Sequence, residues 1–206
     1  MKTFLIALIF IFNLQSITQA NDISSFEIGG FSLNESLLKF FDEEKIKKEL
    51  NTKYTYYYKD KKFAVLGVGE GSNYNLSTKI ENYDELAITI KPSDKNYKIY
   101  SVSGDIFCLD DIENCLSKQK EIISELESFL DTNLKFDAWE KPHGVDPSGK
   151  SMVYGNNIEF SDGSDISVDV YSWSKEMKEK NNFPNTLQVS ITTKEFANFL
   201  RYEAYK

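Results

Sequence analysis

Reactive side chains are scarce in this chain, which holds two cysteines and one histidine in 206 residues. Cys108 and Cys115 frame the stretch CLDDIENC. Joined to each other they would close a short loop, and loop-closure entropy makes such a bond worth about 2–3 kcal/mol. The spacing is not the C-x-x-C of thiol oxidoreductases, and one histidine cannot complete a zinc site around two thiols. The expectation is a structural disulfide, with two free thiols as the alternative, and with no metal and no cofactor. His143 lies near Asp137, Asp146, Ser148 and Ser151, the residue types of a hydrolytic triad. A triad needs its nucleophile on a defined turn, and no G-x-S-x-G or comparable element is present, so His143 is expected in a solvated loop and no catalytic residue is assigned.

Three further patterns invite chemistry. Asp162, Asp165 and Asp169 could be imagined around calcium, but they lack the alternating ligands and distal Glu of a calcium loop, and Asp162-Gly163 is what a tight hairpin turn requires. GVGEGS follows a strand pattern as a phosphate-cradling loop would, yet no helix follows and an acid sits inside it, so a mobile surface loop is expected from Gly69. Tyr54, Tyr56 and Tyr58 alternate, which would put three phenol rings on one face of a strand. Such a row could contact a sugar or another flat ligand, and it is also what a strand with wet hydroxyls looks like.

Hydrophobic periodicity supplies the elements around these residues. From Tyr97 to Phe107 the chain reads as a strand, with Tyr97 and Ile99 on one face and Tyr100 and Val102 on the other. A helix follows from about residue 111, capped by Asp110 with Glu113, and its apolar stripe runs through Ile112, Leu116, Ile123, Leu126 and Leu130. Ser32 with Glu35 predicts another helix over 33–50, interrupted near Asp42. KYTYYYK and FAVLGV form a hairpin, ELAITIK turns into the Tyr97 strand, and MVYGNNIEF and SDISVDVYSW form a second hairpin. Within SDISVDVYSW, Ile166, Val168 and Val170 face the core, and Ser167, Asp169 and Tyr171 face water. Ser174 to Asn185 is expected as loop, before a last strand LQVSITT and a terminal helix capped by Thr192 with Glu195. The fold class is α+β: antiparallel sheet in meander and hairpin connection, backed by two to three helices, with 21–131 and 132–206 as two related halves of one domain over 21–206.

MKTFLIALIFIFNLQSITQA has the three-part layout of a secretory signal peptide over residues 1–20. Export would put both cysteines in an oxidising compartment, periplasmic or extracellular. The apolar run is too short to span a bilayer, so no stable membrane insertion is expected. With 24 basic against 32 acidic residues and a net charge of −8, nucleic acid is excluded as a partner. FSLNESLLKFF, the cysteine-bearing strand-to-helix junction and the strand-rich remainder together resemble small exported proteins of AT-rich marine bacteria. The architecture is similar to that of envelope modules of the outer-membrane assembly lipoprotein and β-lactamase-inhibitor type. Neither resemblance carries a catalytic motif, so they imply export and fold but no activity. The function expected is a non-enzymatic periplasmic or secreted binding module for a protein or envelope ligand. The alternative is a carboxylate-dependent hydrolase of a secreted or envelope polymer, since a suitably spaced Asp/Glu pair leaves no mark in sequence.

Overall fold

The computed structural model describes residues 22–109, 111–130, 133–181 and 183–204. The expected signal peptide and the capping residue Asp110 lie outside the described residues. After a 3₁₀ turn at Ile23–Ser25 comes a tight hairpin, β1 (Glu27–Ile28) and β2 (Phe31–Ser32), turned by Gly29 and Gly30 at positive φ. Gly29 is required twice over, because a Cβ there would also stand 2.4 Å from Leu86 Cδ1.

Residues 33–42 are not helical, contrary to expectation. Asn34 adopts φ 65°, and the segment pairs with the start of a later strand: Asn34 N–H donates to the Ile99 carbonyl, Ile99 N–H to Glu35 and Leu37 N–H to Tyr97. Backbone groups committed to that strand are lost to a helix ladder. One 3₁₀ turn at Leu37–Lys39 remains, with Ser36 Oγ accepting from Leu38 N–H. The α-helix proper, α1 (Glu43–Leu50), is shorter, carrying acids in its first turn and lysines in its last as the helix dipole favours.

β3 (Tyr56–Tyr57), β4 (Ala64–Val68), β5 (Glu85–Ile90) and β6 (Ile99–Leu109) form one antiparallel meander. α2 (Ile112–Phe129) follows it. β7 (Asp137–Pro142), β8 (Met152–Glu159), β9 (Asp165–Ser172) and, after the short α3 (Lys175–Asn181), β10 (Asn185–Thr192) form a second meander, which α4 (Lys194–Tyr202) follows. β6 pairs antiparallel with β10, so the sheet is continuous in the order β3-β4-β5-β6-β10-β9-β8-β7. This is the expected α+β class.

One face of the sheet is apolar. Leu66, Leu86, Ile88, Val102, Ile166, Val168, Val170, Leu187 and Ile191 are buried there beneath Ile122 and Leu126 of α2. Cys108 and Cys115 form the expected disulfide, with Cα atoms 5.7 Å apart, tying the end of β6 to the first turn of α2. Cys108 is the unopposed residue of a bulge, since Thr186 faces Phe107 and Asn185 faces Leu109. Asp111 supplies the helix N-cap, accepting from Asn114 N–H at 3.0 Å. A second bulge corrects the reading of β6. Thr89 faces Ser101 and Ile90 faces Ile99, so Tyr100 has no partner, and Ile99 rejoins Val102 in the main core. Tyr100 instead enters a separate cluster with Phe63, Phe196 and Phe199, where α4 covers one end of the sheet's other face. α4 is capped by Thr193, one residue later than expected.

The remaining corrections are local. KFDAWEKP, to which the pattern assigns no element, is largely the exposed edge strand β7, which Pro142 can end because an edge needs no further donor. Part of Ser174–Asn185 is helical: Ser174 Oγ accepts from Met177 N–H, and Met177 is buried. The Gly69 loop is tied down, with Leu76 fully buried and Asn75 Nδ2 donating to Glu49 Oε2 at 2.8 Å.

Candidate functional site

The sheet's second face carries the polar half of each alternation, and register lines those residues up across strands. One row reads Glu85, Asp105, Gln188, Asp169, Gly155 and Trp139, each facing the next on the neighbouring strand. The next row toward α4 holds Ser103, Ser190, Ser167 and Asn157. α4 closes one end of this face, and the other end is an open groove of about 790 Å³. Glu85, Asp105 and Gln188 form its floor, with Phe107 and Thr186 beside them. Tyr171, Trp173 and Phe183 make an aromatic wall that Pro184 extends, with Lys178 of α3 at the side.

Each part of the groove is held from behind. Gln188 Nε2 donates to Asp105 Oδ1 at 2.8 Å, and Gln188 Oε1 accepts from the Tyr171 hydroxyl at 3.4 Å. Asp84 Oδ2 accepts from Phe107 N–H at 2.7 Å. Burial, and then the neighbouring Asp84 charge, push Asp105 up to about 6. Burial and the facing Asp105 also raise Glu85. Trp173 N–H donates to Asn185 Oδ1, and the Trp173 ring lies between His143 at 4.4 Å and Phe183 at 4.7 Å.

The residues that invited a triad come together as a structural hub. Asp146 accepts from Ser148 N–H, Ser148 Oγ, Ser151 N–H and Ser151 Oγ, at 2.6–2.9 Å. The hydroxyl bonds hold its carboxyl well below the usual range. Ser151 Oγ also accepts from Ser174 N–H, and His143 Nδ1 accepts from Val145 N–H at 3.2 Å. Serine and histidine are thus engaged separately. His143 lies in a loop as expected, just after β7, but it is half-buried against Trp173 rather than solvated, and burial followed by the Lys141 charge lowers its pKa. Asp137 stands apart on β7.

Asp162 accepts from Ser164 N–H and Ser164 Oγ within the hairpin turn, and Gly163 takes φ 83°. Asp169 does not face water as expected. It is 8% exposed, accepts from Ser167 Oγ at 2.9 Å, and its Oδ1 has no hydrogen-bond partner among the described residues. Burial raises it to about 6 and raises Asp165 to about 7. Among the described residues, no three His, Cys, Asp or Glu side chains are placed to hold a metal ion.

The tyrosine row is broken. Tyr56 meets Tyr58 edge-on at 4.9 Å, Tyr58 continues into Phe196 and Phe199, and Tyr54 stands 77% exposed outside β3 beneath the Lys53 ammonium. The groove residues Glu85, Asp105, Gln188, Trp173 and Phe183 were not singled out in sequence. Their one signal is position: Asp105 is a charged residue on the alternate face of a long strand. No family model, curated protein or solved structure matches the chain.

Proposed function

We propose that this is an exported, non-enzymatic binding module, periplasmic or secreted, that takes a small envelope-derived ligand in the groove on the polar face of its sheet. The observation carrying this reading is the pairing of an aromatic wall, Trp173 and Phe183, with an acceptor floor, Glu85 and Asp105, in one space of about 790 Å³. That size falls within the range of small-molecule sites, and the mix of flat apolar surface with a few fixed polar groups is the composition such sites have. Gln188 and His143 brace the floor and wall of the groove. Among the described residues, no helix is long and apolar enough to cross a membrane.

The test is a ligand screen by NMR, using pooled amino sugars, short peptides and aromatic amines. Binders are expected to shift the Trp173 indole and the Gln188 side-chain amide, and Trp173→Ala is expected to weaken them by about tenfold or more. Shifts confined to another surface would sink the reading.

One observation favours a second reading, a carboxylate-dependent hydrolase of an envelope polymer. Glu85 and Asp105 face each other across β5 and β6, and Asp105 is raised toward the range of a general acid. Under that reading Asp105→Asn abolishes turnover of an oligosaccharide or peptide substrate while leaving its binding in place.

A further inference from the structure

The geometry of the groove points to a more definite ligand class, and this inference rests on the binding reading above. We propose that the ligand is an organic cation with a flat ring, its ammonium over Glu85 and Asp105 and its ring against Trp173 and Phe183. The first ground is charge. Glu85 and Asp105 are like-charged partners on adjacent strands, and the only group that hydrogen-bonds either carboxyl among the described residues is the neutral Gln188 amide. Two facing carboxylates are mutually repulsive, and a bound ammonium relieves that repulsion. The second ground is the wall. Trp173 and Phe183, packed ring to ring at 4.7 Å, line the same space with Phe183 exposed, and aromatic side chains attract cations as well as packing against rings. Their separation into an acidic floor and an aromatic wall fits one molecule with both features.

Proton linkage follows from this arrangement. Asp84 faces the floor from the loop before β5, Tyr74 from the Gly69 loop, Tyr171 from β9 and Lys178 from α3. Burial raises both floor carboxyls, the Asp105 charge adds to Glu85 and the Asp84 charge to Asp105, so ionising them and binding a cation reinforce one another. Cation affinity therefore rises with pH through about 6 and levels off above it. His143 lies behind Trp173, and its protonation in acid would oppose a cation in the same direction.

The experiment uses tryptamine, its neutral counterpart tryptophol and the anion indole-3-acetate, titrated by calorimetry and followed by NMR at Trp173. Tryptamine is expected to bind about tenfold or more tighter than tryptophol, and indole-3-acetate more weakly than either. Lowering the pH from about 7.5 to about 5 is expected to weaken tryptamine by about tenfold and leave tryptophol unchanged. The Glu85→Gln/Asp105→Asn pair should erase both the tryptamine preference and its pH dependence while keeping tryptophol binding. These replacements remove half-buried like charges, and an unchanged amide spectrum confirms that the fold is retained. Equal binding of tryptamine and tryptophol at about pH 7.5 would overturn the cation assignment and leave the groove reading standing. If none of the three shifts Trp173, the cation assignment falls; if the pooled ligands also fail to shift it, the groove reading falls with it.

Discussion

Asp169, buried, and Asp165, half-buried, are carboxyls raised to about 6 and about 7, mainly by loss of water. A folded-state pKa above the unfolded value means that the native state holds the proton more tightly. The stability these groups supply is therefore present in mild acid and lost as pH rises from about 4 through 6–7. Asp146 works in the opposite direction: its four donors lower its pKa, so its contribution is present at neutral pH and lost as pH falls below about 4. Thermal unfolding is accordingly expected to give a higher Tm near pH 5 than near pH 7.5. Asp169→Asn should raise stability near pH 7.5 by on the order of 2 kcal/mol and change it little near pH 5. Gln119 is a second residue whose weight comes from its surroundings. It projects from α2 into the apolar face and donates through Nε2 to the Tyr154 and Val168 carbonyls at 2.8 and 2.7 Å. Gln119→Ala strands two buried acceptors and should cost about 2–4 kcal/mol, measured by urea denaturation.

Among the elements, legibility followed regularity. Leu86, Ile88 and Ile90 alternate without interruption, and β5 lies where that alternation put it. The stripe of α2 was equally plain, although the helix turns Cys115, Gln119, Ile122 and Leu126 inward and leaves Phe129 half out. Elements set by long-range pairing were opaque. LNESLLKFF has helix-forming composition, but its backbone is claimed by Tyr97 and Ile99, sixty residues away. The Tyr100 bulge reverses one face assignment through a single unopposed residue, which alternation cannot signal. α3 is only seven residues long, too short for a period to show. The disulfide was legible from the cysteine spacing together with the export that residues 1–20 lead one to expect. Cys108→Ser/Cys115→Ser is expected to cost about 2–3 kcal/mol in denaturant unfolding, and native protein should resist alkylation until reduced.

At the scale of the whole molecule, the two meanders share their supports. α2, from the first meander, packs on β9 and β10 of the second, and α4, from the second, packs on β6 of the first. The strand pattern repeats, but the two following helices lie on opposite faces of the sheet. Fragments 22–130 and 133–204 are each expected to be unfolded alone, which amide dispersion in NMR would check. The same sharing explains why the groove was hidden in sequence. Glu85, Asp105 and Gln188 become neighbours only because β6 pairs with β5 on one side and β10 on the other. The two ends of the sheet bear on how the protein behaves when crowded. β3 offers two residues of open edge, and β7 carries Glu140 and Lys141 before closing on Pro142, which has no N–H to give. An incoming strand finds little to pair with at either end, so the sheet is built to stop at eight strands, and concentrated solutions should stay free of fibrils.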